Sequence, residues 1–398
     1  MKYSKYIIAV VCILCLVYFI HPVQSHAAYS YYRAITINAA TYNPGSETNF
    51  TVLVCANGSS PCNTSVAGLN QSGGGAHVQN SNGYDIIFTS DAGCTTKLNW
   101  EMEKYVASTG EMEAWVLISS LGTSNQTIYM CYGNSGISTF QGGTTGTAWD
   151  SNYKGIWHLP DGSTLSANDS TSNAVNGTSN GATATTGQID GGGSFVAASS
   201  QYITLGTASQ LNVTGVLTIS SWINITTLAT SFVYSRDFNT TRTGAFGING
   251  AGNVYLESNG GAVLFNGGAT SMSTGTWYNI VATYDGTSYR SYINGVLQET
   301  VAASSFNSST DTPSNIGRRP YPGVPNYFDG KIDEVRISNT NRSQNWITTE
   351  YNNENSPSTF ETFGTESALV VSTAPVHQFV LTGKDKIIFS GNKQIIFQ

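Results

Sequence analysis

The segment WYNIVATYDGTSYRSYINGVLQET, residues 277–300, decides the fold of the second half of the chain. Side chains alternate in direction through Ile280, Val281 and Ala282, as in an extended strand. A turn at Asp285-Gly286 ends this run. After a second alternating run, Asn294-Gly295 is a strong hairpin signal, because a type I′ turn needs positive φ at both central positions. The segment therefore predicts three consecutive antiparallel strands.

Three other segments accompany this meander: DGGGSF at 190–195, LTISSWI at 217–223 and GKIDEVRI at 330–337. Together they resemble the laminin-G-like, concanavalin A-like lectin domains over residues 149–364. The resemblance implies a larger jelly-roll sandwich of two antiparallel sheets. It also implies carbohydrate or glycoprotein binding, whereas function itself has to be argued from a site.

Residues 28–141 predict a first, smaller domain. Segments such as YDIIF at 84–88 and MEAWVLI at 112–118 are β-branched, alternating and separated by turn residues, which indicates a small β-sandwich. Their order resembles the DUF2341-type domain of exported bacterial and archaeal proteins, which often precedes a lectin-like domain. The whole chain is thus predicted to be all-β, with residues 142–148 as a linker.

The amino-acid composition limits the classes of binding partner that we expect for this protein. Only 10% of residues are charged, the net charge is −7 and Lys and Arg total 17, so no basic stripe for nucleic acid is expected. Residues 1–27 have two lysines before an apolar run and small residues at the end, which indicates a secretory signal peptide. A retained anchor is the alternative. After cleavage we expect no membrane span and a secreted or cell-surface protein.

Four cysteines remain after signal cleavage, and an even number in an exported protein favours disulfides. Cys55 and Cys62 bracket a short loop and pair naturally, and Cys94 with Cys131 would join a hairpin to a later strand. Three connectivities are open on sequence alone. Zinc is the competing interpretation, but no Cys-x-x-Cys pair or nearby histidine accompanies them.

Residues 365–398 form a predicted tail. Two apolar segments, 386–389 and 394–397, flank Ser390-Gly391-Asn392 and predict a short β-hairpin. A two-stranded hairpin is marginal by itself. We therefore expect residues 384–398 to dock on a domain, on a scaffold or on another copy of the chain.

The loop at 169–177 resembles a loop of the lectin family that is rich in short oxygen-bearing side chains. Such chains suit Ca²⁺, and in relatives a structural calcium often bridges this loop and the closing strand. The resemblance implies Asp169, Asn176 and Asp333 as ligands. The alternative is an Asx turn in which these side chains bind only their own backbone.

A proline-rich segment, residues 318–327, carries the predicted ligand-binding residues Arg318, Arg319, Tyr321 and Tyr327. Prolines stiffen a loop, while tyrosine and arginine supply stacking faces and forked donors. A sugar ring or a partner protein would suit this chemistry. The alternative is an ordinary long connection.

The acidic residues are predicted to be non-catalytic. Glu111 and Glu113 share one face of a strand, and we expect a solvated sheet face for them and for Glu101 and Glu103. His158 is predicted to be structural. Asp333 and Glu334 are expected on opposite faces of their strand.

These observations give three hypotheses, of which the first is a non-catalytic carbohydrate-binding protein. The second is a structural or adhesive component of a cell envelope, fibre or virion. The third is a glycoside hydrolase, since related sandwiches include glucanases. The Glu-x-Asp-x-x-Glu spacing of those enzymes is absent from the sequence.

Overall fold

The computed structural model describes residues 29–42, 47–71, 75–160, 164–238, 241–258, 262–302, 313–319 and 326–369, and strands at 377–381, 387–388 and 393–395. The predicted signal peptide and Tyr321 lie outside these ranges. Within them, no helix has the length and apolar character needed to cross a membrane.

The strands follow one another in three groups. The first group is β1 (Tyr31–Ile37), β2 (Glu47–Ala56), β3 (Ile87–Thr89), β4 (Trp100–Val106), β5 (Glu111–Leu121) and β6 (Gln126–Tyr132). The second group is β7 (Tyr153–Trp157), β8 (Thr178–Asn180), β9 (Thr183–Thr186), β10 (Gly191–Phe195), β11 (Tyr202–Gly206), β12 (Leu217–Ile225), β13 (Ser231–Phe238), β14 (Thr241–Ile248), β15 (Val254–Ser258), β16 (Ala262–Phe265), β17 (Trp277–Tyr284), β18 (Ser288–Ile293), β19 (Val296–Ala302), β20 (Ser314–Ile316), β21 (Arg318–Arg319), β22 (Asn326–Tyr327) and β23 (Gly330–Ser338). Helices α1 (Gln344–Asn355) and α2 (Pro357–Phe360) precede the last group, β24 (Glu361–Phe363), β25 (Ser367–Ala368), β26 (His377–Leu381), β27 (Ile387–Ile388) and β28 (Lys393–Ile395).

The first domain is a small sandwich, as predicted. One sheet has the order β24-β1-β6-β3, with β25 beside β1, and the facing sheet has the order β2-β5-β4. Large apolar side chains fill the space between them, among them Val52, Phe88, Trp100, Val116 and Ile128. Because side chains alternate along a strand, Trp115 and Glu113 of β5 point away from this core.

The second domain is the larger sandwich. Its two sheets run β19-β18-β17-β12-β23-β10-β9, with β7 beside β23, and β16-β15-β14-β13-β20-β11-β8. Ile219, Phe246, Ile280 and Ile332 lie in the core that they share. The predicted all-β class with jelly-roll sandwiches is confirmed.

The predicted meander is β17-β18-β19. Tyr284 pairs with Tyr289 across the first turn, and their rings stack with centroids 4.2 Å apart. Asn294 and Gly295 have φ of 51° and 73° in the second turn. This is the positive-φ pair that a type I′ turn requires, so the hairpin interpretation of Asn-Gly is confirmed.

The chain returns to the first domain after the second. Strands β24 and β25 both pair antiparallel with β1. The domain boundary predicted at residue 364 therefore falls inside a segment, residues 361–368, that belongs to the first sheet. Helix α1 lies between the domains, because Trp346 packs edge-on against Phe50 of the first domain while Ile347 contacts Val281 of the second. The oxygen of Ser343 caps this helix by accepting a hydrogen bond from the Trp346 N–H.

The tail differs from the predicted hairpin. Among the residues described in the tail, β27 pairs antiparallel and β28 parallel with β26, and the two do not pair with each other. The predicted hairpin did not include β26, which contains His377. The two apolar segments therefore flank a third strand.

Candidate functional site

Two of the predicted ligand-binding residues lie together at the surface of the second domain. The guanidinium of Arg318 stacks on the ring of Tyr202, with its carbon 3.5 Å from the ring centroid. The rings of Tyr202 and Tyr327 have centroids 6.4 Å apart. Pairing of β21 with β22 sets Arg318 opposite Tyr327, and all three residues are half-buried. We call Tyr202, Arg318 and Tyr327 the surface stack.

The other two predicted ligand-binding residues are Arg319 and Tyr321. Arg319 is buried, forms an ion pair with Glu257 at 2.8 Å and lies over the ring of Phe232, which gives it a structural role. Tyr321 lies outside the described residues. Tyr202 was missed from sequence, because it is 116 residues distant from Arg318 and only the pairing of β11 with β20 brings it near.

The predicted calcium residues contact two different loops. The carboxylate of Asp169 accepts hydrogen bonds from the backbone N–H groups of Ile156, Thr171 and Val175 at 2.8–3.0 Å. The side-chain oxygen of Asn176 accepts from the N–H of Asp169. These contacts are those of a turn that satisfies its own backbone. Asp333 instead accepts from the N–H groups of Gln188 and Ile189.

The expectation that Asp333 and Glu334 face opposite sides of β23 is wrong, because this strand contains a β-bulge. Strand β23 shifts register against β12 between Ser220 and Trp222, and Glu334 has a φ of 51°. The bulge adds one residue, so Ile332 and Val335 both reach the core of the second domain. Asp333 and Glu334 are consequently both directed out of that core, towards the first domain.

The contact between the domains buries the face that was expected to be wet. Leu53, Cys55 and Trp115 from the first domain pack with Trp149 and Ile156. Glu113 is only 2% exposed, and the side chain of Glu103 only 1%. The solvated-face prediction is therefore wrong for both, because the second domain covers the outer face of the β2-β5-β4 sheet.

Arg336 is the central cation of this contact. It donates two hydrogen bonds to Oε2 of Glu334, at 2.7 and 3.2 Å. Its Nη1 lies 2.6 Å from carboxylate oxygens of both Glu350 and Glu354 of α1. The guanidinium also lies over the ring of Trp115, 4.7 Å from its centroid. One residue of the closing strand thus joins the helix to both domains.

His158 lies in the same contact, stacked on Trp115. Its Nδ1 is 2.6 Å from Oε1 of Glu334 and 3.6 Å from Oε2 of Glu103. Its Nε2 is 3.8 Å from Oε1 of Glu101. The structural role predicted for this histidine fits its burial, but acidic partners on both sides were not predicted.

The protonation of this cluster follows from burial and charge. Burial, together with the negative charge of Glu334, raises the pKa of Glu103 and of Asp333 well above their usual values. Burial alone would raise the pKa of Glu334, but His158 and Arg336 lower it. Burial likewise opposes the charged form of His158, while Glu334 raises its pKa.

Two clefts lie beside the contact. One, of about 350 Å³, is lined by Asn82, Tyr84, Glu101, Met102, Tyr105 and Phe140 of the first domain. The other, of about 140 Å³, lies between residues 59–62 and 186–190 and contains Lys104, Glu111 and Glu113. Lys104 forms ion pairs there with Asp190 and Glu111.

The structure contains two disulfides, Cys55–Cys62 and Cys94–Cys131. The first closes the loop at the end of β2 and contributes to the apolar contact between the domains. The second joins the turn after β3 to strand β6. These are the two pairs that the spacing favoured.

The fold is that of a two-domain, all-β protein whose second domain is a jelly-roll sandwich. Residues 197–348 match the model of the concanavalin A-like lectin/glucanases superfamily. Residues 82–157 match the model of the domain of unknown function DUF2341. The order predicted from sequence is confirmed. A search of curated proteins finds no match.

Three solved structures are similar to parts of the chain. Domain 4 of AbnA, a GH43 extracellular arabinanase from Geobacillus stearothermophilus, is 17% identical with a TM-score of 0.40, covering 50% of this chain and 97% of that one. The CBM40 of a Ruminococcus gnavus sialidase is 16% identical with a TM-score of 0.32, covering 36% and 86%. The binding domain of botulinum neurotoxin serotype D/C is 13% identical with a TM-score of 0.38, covering 51% and 52%.

Proposed function

We propose that this protein is an exported, non-catalytic binding protein that binds a carbohydrate or glycoconjugate through the surface stack of its second domain. The observation that carries the proposal is the Arg318 guanidinium held on the Tyr202 ring beside Tyr327. Tyrosine rings offer apolar faces with a polar tip, and a guanidinium offers several N–H donors in a fixed fork.

The stack is also organised before a ligand arrives. Tyr202 and the β21-β22 pair restrict the rotamers of Arg318, so less side-chain entropy is lost on binding. Among the described residues, no hydrogen bond occupies the terminal donors of Arg318. Those donors are available to sugar hydroxyls or to a carboxylate of an acidic sugar.

Hydrolysis is supported less well. A glycosidase needs two carboxyl groups that flank an accessible bond. Glu103 and Glu334 come together in this structure, but both side chains are 1% exposed beneath the domain contact.

The two disulfides fit an exported protein.

A glycan array tests the proposal. It should use residues 28–398, because the domains share a buried contact, with and without EDTA. We expect saturable binding that Tyr202→Ala and Arg318→Ala each weaken about tenfold or more, as for other aromatic and arginine anchors. Tyr278→Ala, a half-buried tyrosine of the other sheet, is the matched control and should bind normally. Absence of glycan binding, or binding that none of these changes affects, would contradict the proposal.

The EDTA arm also tests calcium at Asp169, Asn176 and Asp333. Carboxylate and amide oxygens support this site, although backbone N–H groups already point at Asp169. We expect a melting temperature that falls on chelation and is restored by Ca²⁺ but not by Zn²⁺. An unchanged melting temperature would favour the self-contained turn.

The second candidate function is a structural or adhesive component. It is favoured by the buried contact through α1 and Arg336, which supports a spacer of fixed geometry. Concentration-dependent assembly in sedimentation, lost on deletion of residues 384–398, would support this role. A monomer at all concentrations would leave carbohydrate binding as the function.

A further inference from the structure

Three side chains converge where the domains meet. Glu103 comes from β4 of the first domain, and His158 and Glu334 come from the end of β7 and from β23 of the second. One nitrogen or oxygen atom of each lies within 4.8 Å of the others. Their side chains are 1%, 4% and 1% exposed, so these atoms are removed from bulk water.

One oxygen of this cluster has no hydrogen-bond partner. Oε1 of Glu103 is buried and forms no hydrogen bond, whereas Nε2 of His158, also without one, faces Glu101 on the opposite edge of the ring. Buried polar atoms are almost always hydrogen-bonded, so a buried unpaired oxygen is a candidate to bind a water or an ion. The unpaired oxygen belongs to the one ligand that the first domain supplies.

The remaining polar atoms are held from outside the cluster. Trp115 donates its indole N–H to Oε2 of Glu103 at 2.7 Å, and Arg336 donates to Oε2 of Glu334. Each carboxylate therefore has one oxygen that is held from outside the cluster and one that is not. Glu101 lies 3.8 Å from the far nitrogen of His158. Metal-binding carboxylates and histidines are commonly oriented by such outer contacts.

We propose that Glu103, His158 and Glu334 bind a single Zn²⁺ ion that joins the two domains. One imidazole nitrogen and two carboxylate oxygens are ligands that zinc accepts, with a water in the fourth position. Ca²⁺ would need six to eight oxygens, which this cluster does not supply. The site is separate from the Asp169 loop and does not depend on carbohydrate binding.

Binding replaces a proton. Nδ1 of His158 lies 2.6 Å from Oε1 of Glu334, which is a hydrogen-bond distance. Ligand atoms about 2.0 Å from a tetrahedral ion lie about 3.3 Å apart, so these two atoms separate as zinc enters. The proton shared by His158 and Glu334 leaves to solvent when zinc binds, because the ligand atoms must be deprotonated.

The test measures bound metal in the tag-free chain, residues 28–398, refolded with Zn²⁺ and dialysed. We expect one zinc per chain by mass spectrometry, a fall in melting temperature of about 2 °C or more after chelation, and loss of zinc from Glu103→Gln and His158→Gln. Glu361→Gln, which changes another buried carboxyl, should keep the ion.

Two results would overturn the proposal: no bound zinc in the refolded wild-type chain, or zinc retained by both ligand variants. If those variants do not fold, X-ray absorption on the wild-type chain decides the question. One histidine nitrogen with oxygen donors supports the site, and a shell containing sulfur or lacking nitrogen contradicts it.

Discussion

Nδ1 of His158 lies 2.6 Å from Oε1 of Glu334, inside the contact between two domains that the sequence suggests are joined by a simple linker. The closeness depends on the bulge in β23, which turns Glu334 outward from its own domain. Arg336 then holds the other carboxylate oxygen. The closing strand of the sandwich is therefore also the main element of the domain contact.

The first prediction concerns Arg336. Arg336→Met removes the cation that faces Glu334, Glu350 and Glu354 and leaves these carboxylates without it in a buried site. Loss of one partner from a buried ion pair typically destabilises a protein by about 3–5 kcal/mol. We expect a change of that size in the free energy of unfolding, measured with urea.

Arg290→Met is the matched control. Arg290 pairs with Asp285 at 2.6 Å, but both side chains are partly exposed. Ion pairs of that kind contribute about 0–1 kcal/mol. Equal destabilisation by the two substitutions would contradict the central role assigned to Arg336.

The second prediction concerns pH and Glu361. Its carboxyl is buried, accepts a hydrogen bond from the Cys55 N–H and has no cationic partner among the described residues. Burial raises its pKa well above the usual value, so the folded chain keeps a proton that the unfolded chain has released. Folding stability from this group is thus present at acidic pH and is lost as pH rises towards the raised pKa.

Glu361→Gln tests this sign. The amide cannot titrate and still offers an oxygen to Cys55. We expect wild type to lose stability as pH rises above about 5, the range in which the unfolded carboxyl releases its proton, and the variant to lose less over the same range. Parallel pH profiles for the two proteins would show that Glu361 is not the group responsible.

Much of the fold could be predicted from sequence, because its signals are local. Alternation in residues 277–300 and the Asn294-Gly295 turn need no distant information. The short loop between Cys55 and Cys62 likewise suggested their pairing. Two of the three residues of the surface stack were predicted, because Arg318 and Tyr327 lie near each other in sequence. Tyr202 is distant from both in sequence and was not predicted.

The domain contact could not be predicted in the same way. From sequence alone, Glu103 and Glu113 predict a solvent-exposed sheet face, because the sequence does not show that the second domain covers it. One signal was available: Leu53 and Cys55 are apolar on the face opposite to Val52, which is typical of a strand buried on both sides. The bulge at Glu334 gave no signal, because glutamate rarely adopts positive φ.

The third prediction compares the disulfides. Cys94–Cys131 spans 37 residues and Cys55–Cys62 spans 7. A cross-link restricts the unfolded chain more when its loop is longer, which gives about 4 kcal/mol for the first and about 2 kcal/mol for the second. We expect the double alanine variants to lose stability in that order, measured by urea unfolding, after peptide mapping under non-reducing conditions has verified both pairs.

The reverse order would have a specific meaning here. Cys55 and Cys62 also belong to the apolar contact with Trp149 and Ile156. A larger loss for their removal would show that packing between the domains outweighs loop entropy at this position.

The fourth prediction concerns the turn that ends β18. Gly295 has a φ of 73°, and a Cβ there would lie 3.2 Å from the Cα of Thr348 in α1. The carbonyl of Gly295 also accepts hydrogen bonds from the side chains of Gln344 and Thr348. Gly295→Ala should therefore strain the turn and displace the helix, at a cost of about 2–3 kcal/mol.

Gly275→Ala separates the two effects. Gly275 has a φ of 78°, but nothing lies within 4 Å of the added Cβ, so only backbone strain of about 1–2 kcal/mol is expected. Urea unfolding of both variants gives the difference, which measures how tightly α1 packs on the turn. Since α1 also contacts the first domain through Trp346, a larger loss for Gly295→Ala would show that the turn supports the joint between the domains. Equal losses would mean that the helix moves aside freely and that the joint depends on Arg336 instead.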